Sequence, residues 1–154
     1  SQSDKRDTFE KNWFNLVDEI KHNLKEDPKT AIGIALGKRC MDLVNNLYGT
    51  KYAHLRTKMF ERGFGMGKGL EQTGMTPQVV AWLDVAICSY WHSRIDDLLS
   101  KIDKQPTFEL NQQWNTLLDD MYGEDPDRKM KLLNLIFEEK YLNDKAKAWL
   151  QSIA

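Results

Sequence analysis

Cys40, Cys88, His22, His54 and His92 are the side chains of this 154-residue chain best suited to hold zinc or, as a thiol beside an imidazole, to act as a nucleophile. Zinc sites draw their ligands from short, fixed spacings, and no HxxxH, CxxC or HExxH pair occurs. Cys40 and Cys88 both lie in apolar helical patterns, with no His or Asn/Asp partner that spacing can assign. They are expected as two buried, reduced thiols. Acid–base chemistry has two candidate pairs, Asp96-Asp97 and Asp119-Asp120, but neighbours at i, i+1 diverge on a helix. Solvated surface is the better reading. The run Gly63-Phe64-Gly65-Met66-Gly67-Lys68-Gly69 invites a phosphate loop and fails on register: Gly69 follows Lys68 where Ser or Thr should stand, and Arg62 occupies the first glycine's place. A dinucleotide fingerprint fails as well, having no preceding strand. The acidic run at 124–127 lacks the ladder and the position-12 Glu of a calcium loop. No catalytic residue, no metal and no cofactor is therefore expected, and the chain reads as a binder rather than an enzyme.

The elements that position these residues are helices. Phe9, Trp13, Leu16, Val17, Ile20 and Leu24 recur at helical spacing and predict a helix over 8–25. Pro28 ends it. Thr30 is the expected cap of a second helix carrying Ile34, Leu36, Cys40, Leu43, Val44 and Leu47, with Gly49 as its left-handed terminator. A shorter helix is expected over 52–62, before the glycine cluster, which cannot hold a regular helix. Thr76 and Pro77 announce a long helix reaching about Ile102. Thr107 is expected to cap a helix over 108–122. Asp125-Pro126-Asp127 should open one over 126–140, and the last runs over 144–153. No segment alternates with period two. The expectation is all-α: a compact single domain over 1–154, of about seven helices.

Self-similarity adds an internal pseudo-repeat. LGKRCMDLVNNLYG at 36–49 returns as LNQQWNTLLDDMYG at 110–123, 74 positions later and without a gap. Leu36 matches Leu110, Leu43 matches Leu117, Val44 matches Leu118, Leu47 matches Met121, and Tyr48-Gly49 matches Tyr122-Gly123. Met59-Phe60-Glu61 corresponds to Ile136-Phe137-Glu138, and Ala81-Trp82-Leu83 to Ala148-Trp149-Leu150. Trp13 and Ile20 are spaced like Trp91 and Leu98. Repeats of this kind decide architecture before single residues do. A first unit over about 8–103 and a shorter second over about 104–154 are expected.

Composition excludes several classes. The formal net charge is −1, from 22 basic and 23 acidic residues, which leaves no basic footprint for nucleic acid or for an anionic membrane surface. No apolar run approaches the ~20 residues that span a bilayer, and no signal-peptide core is present. A cytoplasmic location is expected, and a homodimer stays open. The chain opens on Ser1-Gln2-Ser3 without a Met, so further residues upstream in the natural protein are expected.

Five Trp, six Phe and five Tyr supply core and leave some to spare for a surface. Large helical pockets are walled by aromatic and Met side chains. A pocket is expected where the glycine-rich segment meets the start of the long helix, lined by Met59, Phe60, Phe64, Met66, Thr76, Val79, Trp82 and Tyr90.

The string Leu70-Glu71-Gln72-Thr73-Gly74-Met75-Thr76-Pro77, followed by Val80, Trp82-Leu83 and Ala86-Ile87, resembles the TipAS-like antibiotic-recognition domain family. Met59-Phe60 is similar to the Met–aromatic pair closing that family's preceding helix, and 36–47 is similar to the helix before it. Within the family, the tandem copies and the EQTG-x-TP string look most like the albicidin-resistance type of drug-binding protein. The resemblance covers residues 10–100 well and the second unit weakly. It implies a globin-like or helical-repeat fold with a deep groove for an elongated aromatic peptide antibiotic. It also implies sequestration that confers drug resistance or tolerance. The alternative it carries is the effector-sensing part of a MerR-type transcription regulator whose DNA-binding part would precede Ser1. The family's thiopeptide binders hold their ligand on a Cys just upstream of the Met–aromatic pair. That place falls near Leu55 here, so non-covalent capture is implied. Phe60 stands where albicidin binders carry His.

Overall fold

The computed structural model describes residues 2–48 and 74–154. Among these, every regular element is a helix. In chain order they are α1 (Gln2–His22), α2 (Ala31–Tyr48), α3 (Pro77–Ser100), α4 (Thr107–Tyr122), α5 (Arg128–Glu139) and α6 (Asp144–Ile153). The all-α expectation holds. Six helices stand among the described residues; the seventh expected, over 52–62, lies outside them, as do Gly49 and the glycine cluster.

Local signals explain most helix ends. α1 begins six positions before the expected start, because its first turns are polar and leave no trace in apolar periodicity. It ends at His22, where Asn23 Nδ2 donates to the Glu19 carbonyl at 2.8 Å and covers one of the terminal acceptors. Leu24 falls in the turn beyond the helix and still packs against the core. Asp27 organises that turn: its Oδ1 accepts from Lys29 N at 2.9 Å, and its carbonyl accepts from the Thr30 hydroxyl at 2.7 Å. The expected Thr76–Pro77 opening of α3 is present, with Val79 N donating to Thr76 Oγ1 at 3.2 Å. Two openings differ from expectation. Pro106 rather than Thr107 occupies the cap of α4, and α5 starts at Arg128 with Asp127 in the cap position. In the second case Asp125 Oδ1 accepts from Asp127 N at 2.8 Å, so the side chain makes a local turn in place of a cap. Gly123 ends α4 with φ +61°, and its N–H returns to the Asp119 carbonyl at 2.9 Å.

Packing divides the described residues into two compact units, 2–48 with 74–91, and 92–154. The division falls inside α3, just after Trp91, in the segment whose Trp91 and Leu98 share the spacing of Trp13 and Ile20.

Unit 1 buries Trp13, Leu16, Val17 and Ile20 of α1, Leu36, Cys40, Met41 and Val44 of α2, and Met75, Val79, Trp82, Leu83, Ala86 and Ile87. α2 and α3 come unusually close at Gly37: a Cβ there would lie 2.5 Å from the Ala86 carbonyl oxygen. Only glycine lets two helix backbones meet this tightly.

Unit 2 buries Ile95 and Leu98 of α3, Leu110, Trp114, Leu117, Leu118 and Met121 of α4, Leu132 and Ile136 of α5, and Leu142, Ala146, Trp149 and Leu150. Trp114 and Trp149 pack edge to face, centroids 5.7 Å apart and planes at 88°. Trp149 Nε1 donates to Asn111 Oδ1 at 3.2 Å.

Several matched positions of the sequence repeat take similar roles within each unit, while Leu43 is half-buried where Leu117 is buried, and Trp91 where Trp13 is buried. Leu36 and Leu110, Cys40 and Trp114, and Val44 and Leu118 are all buried. Asn143 Oδ1 accepts from Ala146 N at 2.8 Å, as Thr76 Oγ1 accepts from Val79 N, and a buried apolar residue precedes each cap, Met75 and Leu142. Trp82 and Trp149 are both buried with their indole N–H satisfied, though by different acceptors. Gly37 of the first copy is matched by Asn111 of the second, so the place used for close approach in unit 1 holds the acceptor for Trp149 in unit 2.

Candidate functional site

Of the residues expected to line a pocket, Met59, Phe60, Phe64 and Met66 lie outside the described residues. The other four have distinct places in unit 1. Thr76 is exposed and caps α3. Val79 has no exposed surface, and Trp82 lies in the same buried cluster with its Nε1 donating to the Glu26 carbonyl at 2.9 Å. That bond ties α3 to the turn after α1 and satisfies the one polar atom the indole carries. Tyr90 is half-buried against the cluster and tilts on Trp91, centroids 4.9 Å apart. Among the described four, then, Val79 and Trp82 are brought together in the core, while Tyr90 keeps a surface-accessible ring.

A cavity that the sequence analysis missed opens between α1 and α2. It has a volume of about 410 Å³ and is lined by Asp4, Lys5, Thr8, Phe9, Asn12, Leu43 and Asn46. Phe9 and Leu43 form its apolar floor, and both pack on the unit 1 core. Beneath the floor, Phe9 stacks on Trp13 with centroids 5.7 Å apart and planes at 22°. Acidic, basic, hydroxyl and amide groups make the rim. Drug-sized ligands occupy cavities of roughly 300–1,000 Å³ with an apolar lining and a few polar groups that orient the ligand. The sequence carried no signal for it, since Thr8 and Asn12 are ordinary polar neighbours of an apolar stripe.

A second cavity, of about 580 Å³, lies in unit 2 between α3 and α4 and is lined by Ser93, Arg94, Asp97, Leu98, Lys101, Gln112, Gln113, Thr116 and Leu117. Its charges are already engaged, Arg94 with Asp120 at 2.8 Å and Asp97 with Lys101 at 2.9 Å. It lacks an aromatic floor and is the poorer fit to an apolar ligand.

Cys40 is buried as expected; Cys88, expected to be buried, is exposed. α3 is apolar on much of its circumference, so periodicity alone could not tell which flank neighbours would cover. No cluster of three or more His, Cys, Asp or Glu side chains among the described residues could hold a metal ion. His92 instead faces Glu139 at 3.0 Å, and Asp96 faces Lys140 at 2.8 Å, joining α3 to the end of α5. Two ionisable groups are displaced from their ordinary ranges. Partial burial pushes the Asp84 carboxyl up, and burial, with the charge of Asp125, pushes the Tyr122 phenol up. Neither lines either cavity. No helix among the described residues is long and apolar enough to cross a membrane. No family model, curated protein or solved structure matches this chain.

Proposed function

We propose that this chain is a binding protein that sequesters a hydrophobic, multi-ring aromatic compound without covalent attachment, and so confers tolerance to it. The observation that carries this reading is the α1–α2 cavity, with Phe9 and Leu43 as floor and a rim of Asp4, Lys5, Thr8, Asn12 and Asn46. A flat ring laid on Phe9 extends the existing Phe9–Trp13 stack, a contact worth about 0.5–1.5 kcal/mol beyond its buried area. Both signs of charge and two amides stand within reach of the polar ends of such a molecule. No thiol lines the cavity, which favours reversible capture. The resemblance of 70–87 to antibiotic-recognition domains supports the same ligand class.

Titration of the chain with multi-ring peptide antibiotics, read by Trp fluorescence, tests this reading, since Trp13 stacks on Phe9. Phe9→Ala is expected to weaken binding about tenfold, equivalent to ~1.4 kcal/mol. If Phe9→Ala binds normally and Phe64→Ala does not, the ligand sits on the 59–66 segment and the α1–α2 cavity is not the site. No binding across such a panel would sink the function itself.

A further inference from the structure

α5 buries Leu132 and Ile136 on one side and exposes Met130 and Phe137 on the other, among Lys131, Asn134 and Glu138. Met130 is 65% exposed, Phe137 46%, and Tyr141, just past the helix end, 97%. Met130, Asn134 and Phe137 recur at i, i+4 and i+7, which is one stripe of a helix with ~3.6 residues per turn, while the extended backbone at Lys140 takes Tyr141 off the helix. Half-buried Leu133 borders this stripe. Large apolar side chains gathered on one exposed face mark an interaction surface more often than chance.

We propose that this stripe is the interface of a homodimer in which α5 packs antiparallel on α5 of a second copy, about a twofold axis through Asn134. The charges and shapes of the stripe are their own complement. Met130 and Lys131 stand one turn before Asn134; Phe137 and Glu138 stand one turn after it. On a helix, positions i−4 and i+3 fall on one side of residue i, and positions i−3 and i+4 on the other. Reversing the helix about Asn134 therefore sets Met130 against Phe137 of the partner subunit, and Lys131 against Glu138 of the partner subunit. Each contact occurs twice, as an isologous interface requires. Glu138 is exposed and makes no ion pair among the described residues. Lys131 reaches Asp125 in its own chain and stands opposite Glu138 of the partner subunit. Asn134 meets its own copy at the axis, where paired amides can exchange hydrogen bonds and a polar residue fixes register. A different protein would have to reproduce this alternation, whereas a second copy supplies it by symmetry.

One helix pair buries less than the ~1,200 Å² of a standard interface, which is the range of weak, transient encounters. Sedimentation equilibrium of the full chain between roughly 5 and 500 µM reads association in the range of such encounters. The chain is expected to pass from monomer to dimer across the range. K131E, which opposes two acids, should weaken association about tenfold or more. The double variant K131E/E138K restores opposite charges across the axis but not the Lys131–Asp125 pair, and is expected to recover most of the affinity. F137S, at an exposed position, should also favour the monomer without changing the circular-dichroism melt. A chain monomeric throughout the range overturns the proposal. So does a dimer indifferent to F137S, or a double variant no better than K131E.

Discussion

Gly37→Ala sets two effects of known size against each other. Alanine is the better helix former by about 1 kcal/mol, and on an exposed helix face the change would stabilise. At this position the new methyl would stand 2.5 Å from the Ala86 carbonyl oxygen and 2.7 Å from its carbon, both backbone atoms of α3. Ordinary van der Waals contact begins near ~3.4 Å, and a backbone carbonyl inside a helix cannot swing aside as a side chain can. α2 and α3 must then part by about 1 Å along the line that also packs Cys40 and Leu83. Overpacking of this kind costs about 1–3 kcal/mol, and a backbone clash this short belongs at the upper end. After the propensity gain, the expected net loss is about 2 kcal/mol, or a fall in Tm of about 4–8 °C for a chain of this length. The assay is thermal unfolding by circular dichroism, with Ala35→Gly as reference. Ala35 is exposed on the same helix, so that variant reports propensity alone. A Gly37→Ala protein that melts higher than the parent, by the amount Ala35→Gly melts lower, would refute the close approach of α2 and α3.

Two further outcomes follow from single groups. The Asp84 carboxyl has its pKa raised above 3.8 by burial, so the folded state favours its protonated form. That contribution is fully present below the unfolded pKa and is lost as pH rises through the folded one; Asp84→Asn is therefore expected to raise Tm at pH 7, with the difference from the parent vanishing near pH 3, and a gain that grows on acidification would contradict the sign. Asn143→Ala removes the cap of α6, whose Oδ1 accepts from Ala146 N at 2.8 Å, and is expected to cost about 1 kcal/mol; an unchanged denaturation midpoint would show that the cap adds nothing to stability.

What the sequence determined by itself was set by local physics. Period and punctuation are written within a few residues of each helix: Thr76 and Pro77 open α3, Asn143 opens α6, and Gly123, with its positive φ, closes α4. The matched spacing of Leu36 with Leu110 and of Trp82 with Trp149 was legible for the same reason, because it needs no knowledge of neighbours, and these residues are all buried. Tertiary structure decided whatever depends on a second element. Val79 and Trp82 read from the sequence as pocket wall or as core, and their burial came only with the packing of α1, α2 and the turn after α1 around them. Cys88 differs from Cys40 only in which flank of its helix the neighbours cover. The cavity on Phe9 and Leu43 joins side chains more than thirty positions apart, and the exposure of Met130 and Phe137 on α5 depends on which elements pack beside them. Helix formation is a local equilibrium that the chain carries in its own spacing; burial is a property of pairs of surfaces, and it exists only once the helices have met.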